Sequence, residues 1–212
     1  MMKVKICGIT NEDDAIFAQK SGADLIGIVF AESPRKVSIE KANDIISSLS
    51  EDTAIVALFS NADKAVVDNT LKSLKRFDMV QFHGDETPQY CLSFKPKKII
   101  KAIRVRDIGS LDIIKSFNSI DYILLDAYVK DQYGGTGNTF NWDLALKAKN
   151  FNKPIFLSGG LNPENIRDAV KEVSPFAVDV SSGVEESPGK KDNRLVEDFI
   201  KKAKTPALED RR

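Results

Sequence analysis

The chain has 212 residues, 42% of them hydrophobic and 29% charged, and its 31 Lys and Arg balance 31 Asp and Glu. That is enough apolar material for a sizeable core, while the balanced charge excludes the basic footprint of a nucleic-acid or anionic-membrane binder. The single histidine, His83, excludes a His-rich metal site, and two cysteines, Cys7 and Cys91, are too few for a disulfide framework.

Two thiols and no framework predict a reducing cytoplasm. No apolar run approaches the ~20 residues that span a bilayer, and Met1-Met2-Lys3-Val4 lacks the apolar core of a signal peptide.

In chain order, short apolar runs alternate with stretches of helical period. A strand over 4–7 precedes a helix over 11–21, and a strand over 25–30 precedes a helix over 39–49. Residues 54–59 lead to a helix over 62–75, and 79–82 lead to a short helix over 88–94. Strands over 98–103 and 122–126 flank a weaker helix over 110–117. A strand over 154–157 leads to a helix opening Asn162-Pro163-Glu164, where Asn caps and Pro takes the first turn. The last strand, 176–180, is followed by a helix over 192–203.

Short strands rich in Val, Ile, Leu and Phe are how parallel strands under helices read. Eight strands in this rhythm, with no composition break, predict a single-domain α/β fold, a (β/α)8 TIM barrel over 1–204 with a disordered tail over 205–212. An open doubly wound sheet is the rival, and regular repetition suits it less.

In a barrel, chemistry gathers at the C-terminal strand ends. Cys7, His83, Asp126, Ser158 and Asp179 stand there, with Arg35 in the loop after the second strand. A free cysteine is commonly a small buried hydrophobe; a strand-end position before Gly8 favours a base, whose thiol must then fall below its usual ~8.5. Asp126 follows four apolar residues, and to donate a proton at neutral pH its carboxyl must rise above ~3.9. The first and sixth strands lie three places apart in a ring of eight, so acid and base face each other across the mouth. Ser158-Gly159-Gly160 and Ser181-Ser182-Gly183 follow strands seven and eight, where backbone amides can meet a phosphate. Gly134-Gly135-Thr136-Gly137 lies in a long loop, flanked by Tyr133 and Trp142, of the kind that closes over ligands. The set points to proton transfer on a phosphorylated sugar.

Five motifs occur in order: Lys5-Ile6-Cys7-Gly8-Ile9-Thr10, Gln81-Phe82-His83-Gly84, Gly134-Gly135-Thr136-Gly137, Leu157-Ser158-Gly159-Gly160-Leu161 and Asp179-Val180-Ser181-Ser182-Gly183-Val184-Glu185. Together they resemble the phosphoribosylanthranilate isomerase family over nearly the whole chain. The resemblance implies an Amadori rearrangement of an N-ribosyl anthranilate 5-phosphate in tryptophan biosynthesis. It makes Asp126 the general acid on the ring oxygen and Cys7 the general base at C2′. It also implies that Arg35 meets the anthranilate carboxylate and that His83 and Asp179 line the pocket. Gly160 and Ser182 would bind phosphate through their amides, with Gly135 nearby. No cofactor or metal is implied, and the partner is a small sugar phosphate taken by a monomer or homodimer. One departure is Lys36 after Arg35, where the family more often carries an aromatic residue.

Other sugar-phosphate barrels fit less well. The pentose-phosphate epimerase type needs several metal-binding histidines, and the histidine-pathway isomerase places a carboxylate where Cys7 stands. A barrel that binds a phosphometabolite without converting it would need both phosphate loops but not Cys7 with Asp126.

Overall fold

The computed structural model describes residues 2–127 and 142–205, and its strands close into a ring. In chain order they are β1 (Lys3–Cys7), β2 (Leu25–Val29), β3 (Ala54–Phe59), β4 (Met79–Phe82), β5 (Lys98–Val105), β6 (Tyr122–Ala127), β7 (Ile155–Leu157) and β8 (Ala177–Val180). Each pairs in parallel with the next, and β8 returns to β1 with Lys5 opposite Asp179. Ring closure gives each barrel strand a neighbour on both sides, so the barrel sheet has no edge strand. The barrel is the fold that the alternation of strands and helices predicts.

Helices α1 (Glu12–Lys20), α2 (Ile39–Ser47), α3 (Lys64–Ser73), α4 (Pro88–Leu92), α5 (Trp142–Ala148), α6 (Ile166–Val173) and α7 (Asn193–Lys204) lie outside the barrel. Their starts are fixed locally. Asn11, Ser38, Thr87 and Asp192 each accept from an amide of the first turn, which satisfies donors a helix cannot pair itself.

Three local expectations change. The helix expected to open at Asn162 begins at Ile166, because the Asn162 side chain accepts from Glu164 and Asn165 and closes a separate turn first. The helix expected over 110–117 is a 3-10 segment, Ile108–Phe117, started by a reciprocal cap between Asp107 and Ser110. Helix α5 and a hairpin of β9 (Glu185–Ser187) and β10 (Lys190–Lys191) are additions the residue pattern did not predict. The expected tail beyond Thr205 lies outside the described residues, as do Tyr133 and the loop carrying Gly135.

Side-chain alternation divides the core. Val4, Ile6, Ile26, Ile28, Ile55, Phe59, Val80, Phe82, Ile123 and Leu125 point outward to the helices and join one large cluster. The intervening residues point inward. Leu25, Val56, Met79, Ile100, Ala102, Leu124, Phe156 and Ala177 fill the lower barrel as a second cluster. Phe156 is wholly buried there, and burying such a ring stabilises by about 1.5–3 kcal/mol. This plug closes the barrel floor and leaves its upper end for polar groups.

Candidate active site

Two residues further along the same inward rows, apolar side chains give way to polar ones. Leu124 is followed by Asp126, Phe156 by Ser158, Ala177 by Asp179, and Met79 by Gln81 and then His83. Cys7, Arg35, His83, Asp126, Ser158, Asp179 and Ser181 line one cavity of about 310 Å³ at this end. That volume suits a small ligand. The sequence-predicted residues Cys7, Arg35, His83, Asp126 and Asp179 are thus brought together; Gly160 and Ser182 sit on the adjoining loops.

Cys7 is 6% exposed and stands in a charged setting. Lys5, two residues earlier and on the same inward row, is wholly buried, and its Nζ lies 2.8 Å from Asp179 Oδ1. Burial alone would lower the Lys5 ammonium, but Asp179 and Cys7 outweigh it and hold the group above its usual value. Burial pushes the Cys7 thiol up, against the pull of Lys5, so it stays above the ordinary thiol range. A lowered thiol was the expectation; the cation is present, but desolvation wins in the resting site.

Arg35 crosses the rim and donates twice to Glu185, through Nε at 2.8 Å and Nη2 at 2.6 Å. This fork raises the guanidinium further, with Glu185 the main cause. Burial would raise the Glu185 carboxyl, yet Arg35 and Lys191 draw it below its usual range. Lys191, buried beside them, bonds Glu185 at 2.7 Å and the Ser181 carbonyl at 3.2 Å. Its ammonium is lowered by burial despite Glu185. Among the described residues Arg35 Nη1 has no acceptor, so one side of the fork is available to a carboxylate in the cavity.

Asp126, 4% exposed, stands on the opposite wall. His83 Nε2 lies 3.1 Å from its Oδ2, and His83 Nδ1 lies 3.0 Å from Gln81 Nε2. With the Gln81 amide donating to Nδ1, the imidazole carries its proton on Nε2 and donates to Asp126. The β4 end thus holds the carboxylate of β6 in place.

The two phosphate-type loops meet directly. A side-chain carbon on Gly183 would stand 1.9 Å from the Leu161 carbonyl oxygen, so only glycine lets the β8 loop approach the β7 loop this closely. Gly160 takes φ +68°, which turns the chain back toward that contact. Among the described residues, neither the Gly160 nor the Ser182 amide donates to a protein acceptor, and the buried Ser181 Oγ is unpaired. Three cations, Lys5, Arg35 and Lys191, surround this corner against the carboxylates of Asp179 and Glu185. Such a corner favours an anion.

Lys5, Gln81, Glu185 and Lys191 were missed as site residues by sequence reading. Lys5 was findable, since a lysine inside a strand at even spacing from Cys7 must point the same way. Glu185 and Lys191 depend on the β9–β10 hairpin, which carries no apolar signal. Among the described residues, no group of three or more His, Cys, Asp and Glu side chains could hold a metal ion.

Comparison with known proteins finds relatives over nearly the whole chain. A family model described as N-(5′-phosphoribosyl)anthranilate (PRA) isomerase matches residues 4–202. The N-(5′-phosphoribosyl)anthranilate isomerase of Geobacter metallireducens is 51% identical over 96% of this chain and 100% of its own length. That of Geobacter sulfurreducens is 50% identical over 96% and 99%. The phosphoribosyl anthranilate isomerase of Thermotoga maritima superposes with a TM-score of 0.90 at 41% identity, covering 96% of this chain and 99% of that one. A phosphoribosyl anthranilate isomerase solved in complex with reduced 1-(o-carboxyphenylamino)-1-deoxyribulose 5-phosphate superposes at 0.87, with 39% identity over 96% and 99%. This chain belongs to the N-(5′-phosphoribosyl)anthranilate isomerase family.

Proposed function

We propose that the chain catalyses the Amadori rearrangement of N-(5′-phosphoribosyl)anthranilate to 1-(2-carboxyphenylamino)-1-deoxyribulose 5-phosphate, with Asp126 as general acid and Cys7 as general base. The observation that carries this reading is that both groups, nearly buried, line one cavity from opposing strands of the barrel.

The Asp126 carboxyl gives its proton to the ribose ring oxygen as the C1′–O bond breaks. The anthranilate nitrogen supplies the electron pair and becomes an iminium. The Cys7 thiolate then takes the proton from C2′, and the C–H electrons form the enolamine. Tautomerisation to the ketone returns a proton, so the reaction is redox-neutral. Positioned acid–base groups of this kind contribute typically ~10²–10⁴-fold each.

His83 orients the acid, and Arg35 offers Nη1 to the anthranilate carboxylate. The Gly160 and Ser182 amides take the phosphate, with the Lys191 and Arg35 charges behind them. Asp179 faces the sugar hydroxyls. Gly135, assigned to the same phosphate pocket by resemblance, lies outside the described residues. The partner is a sugar phosphate, met by a monomer or homodimer; the Thermotoga maritima relative is described as dimeric, and a structure of monomers obtained from it is known. Two free, buried thiols accord with action in a reducing cytoplasm.

The test is loss of anthranilate-type fluorescence with substrate made in situ. Purified chain is expected to consume the signal at an enzymatic rate with stoichiometric formation of the deoxyribulose product; a signal that decays no faster than without protein refutes the assignment.

A further inference from the structure

Most of the cavity wall is explained by substrate contact, but one buried cation is not. Lys5 sits below the cavity lining on β1, out of reach of solvent, where an unpaired ammonium would be strongly unfavourable. One partner is Asp179 on β8, at 2.8 Å. Its other neighbour is the sulfur of Cys7, two residues further along the same inward row, whose attraction helps to raise the ammonium. The wall of β2 is shaped around this meeting. A side-chain carbon on Gly27 would stand 2.8 Å from Cys7 Sγ and 3.1 Å from Lys5 Nζ. Any larger residue there would crowd both the sulfur and the ammonium.

We propose that Lys5 is a positioning residue for the proposed base: fixed from one side by Asp179, its ammonium is the built-in counter-ion of the Cys7 thiolate. The proposal deepens the acid–base reading above, and its catalytic consequence rests on it.

The other groups facing Cys7 are compatible with this role. β2 contributes Gly27 and Val29, and β3 contributes Leu58, none of them charged. β8 contributes Asp179, whose negative charge opposes the thiolate but is answered by Lys5. The hairpin contributes Lys191 and the rim contributes Arg35, both already paired with Glu185. Among the described residues, Lys5 is therefore the cation near Cys7 whose single ion pair is with Asp179, and it lowers the thiol more than Lys191 does. Asp179 gains a second part here, since it holds Lys5 as well as facing the cavity. Ser158 Oγ, 3.3 Å from Asp179 Oδ2, ties the same carboxylate to the β7 loop.

The experiment titrates the Cys7 thiolate directly, by the rate of iodoacetamide alkylation against pH, with the modified peptide located by mass spectrometry. Cys91 is wholly buried, with its thiol pushed up to about 12, so label on Cys7 is resolved from it. In Lys5→Met the alkylation midpoint is expected to rise by at least one pH unit, a tenfold loss of thiolate at fixed pH. The acid limb of kcat/KM should move by the same amount, and Lys5→Arg should return most of both shifts. An unmoved midpoint in folded Lys5→Met overturns the proposal. Should Lys5→Met fail to fold for want of a partner for Asp179, the comparison becomes Lys5→Met with Asp179→Asn, which leaves no buried charge orphaned, against Asp179→Asn alone, in which Lys5 keeps only Cys7 as its charged neighbour. A higher midpoint in the double variant supports the counter-ion role, and equal midpoints overturn it. Failure of the base assignment is separable: Cys7→Ala would then retain activity while Lys5→Met still shifted the alkylation midpoint.

Discussion

Replacing Gly183 by alanine puts the proposed phosphate seat under a direct steric test. The new carbon would stand 1.9 Å from the Leu161 carbonyl oxygen, where ordinary contact begins at 3.4 Å, a deficit of 1.5 Å. Both sides of the clash are backbone, so no side chain can rotate away and the two loops must part. An amide-to-phosphate bond near 2.9 Å does not survive a displacement of that size. Losing one hydrogen bond to a charged group costs about 1.5–3 kcal/mol, equivalent to roughly 10- to 160-fold in affinity. Steady-state kinetics should therefore show KM raised by that factor with a smaller change in kcat, and inorganic phosphate should lose inhibitory potency in parallel. Far-UV circular dichroism checks that the barrel persists. A folded Gly183→Ala chain with unchanged KM and unchanged phosphate inhibition would refute the placement of the phosphate between these loops.

Cys7→Ala should lower kcat by about 10²–10⁴-fold with little change in ligand affinity, read by the fluorescence assay; a loss under tenfold contradicts its role as base. Glu86 accepts from the Asn61 and Gly84 amides and from the buried Lys101 ammonium, and Glu86→Ala leaves both amides without that acceptor and Lys101 with carbonyl partners but no counter-ion. Breaking a buried pair by removing one partner costs about 3–5 kcal/mol, which urea unfolding at constant m-value will report, and a cost below about 1 kcal/mol would show that water or rearrangement replaces the carboxylate. Glu185, lowered by Arg35 and Lys191 against the upward push of burial, adds stability that is complete above its ordinary value of 4.5 and lost as pH falls through the lowered one. The difference in melting temperature between the parent and Glu185→Gln should thus shrink below pH 4.5; a constant difference down to about pH 3 contradicts the linkage.

Much of this was legible in the residues. Eight apolar runs separated by amphipathic stretches announce the barrel, because a strand buried on both faces cannot alternate strongly with solvent. Cys7 and Asp126 were legible as strand-end polar groups following apolar runs, and Gly160, Ser182 and Gly183 as turns where backbone must approach closely. The start of α6 was misplaced because Asn162 satisfies two amides of a turn as readily as those of a helix. The electrostatics were least legible. Whether the thiol lies above or below its usual value depends on a contest between burial and Lys5, and sequence supplies the participants without the distances. Glu185 stands 150 positions from Arg35, and only the closed barrel and its hairpin make them partners.

The account turns on a proton passing from Asp126 while the ligand is held by other groups. Asp126→Asn keeps the shape and an acceptor for His83 but removes the acid. Turnover measured beside binding of reduced 1-(o-carboxyphenylamino)-1-deoxyribulose 5-phosphate separates the two, that compound being bound in a related isomerase structure. The expected result is turnover lower by about 10³-fold, within the usual range for such a group, with affinity for the compound changed by less than about threefold. Turnover within about tenfold of the parent, at equal affinity, would contradict the assignment of Asp126 as the acid.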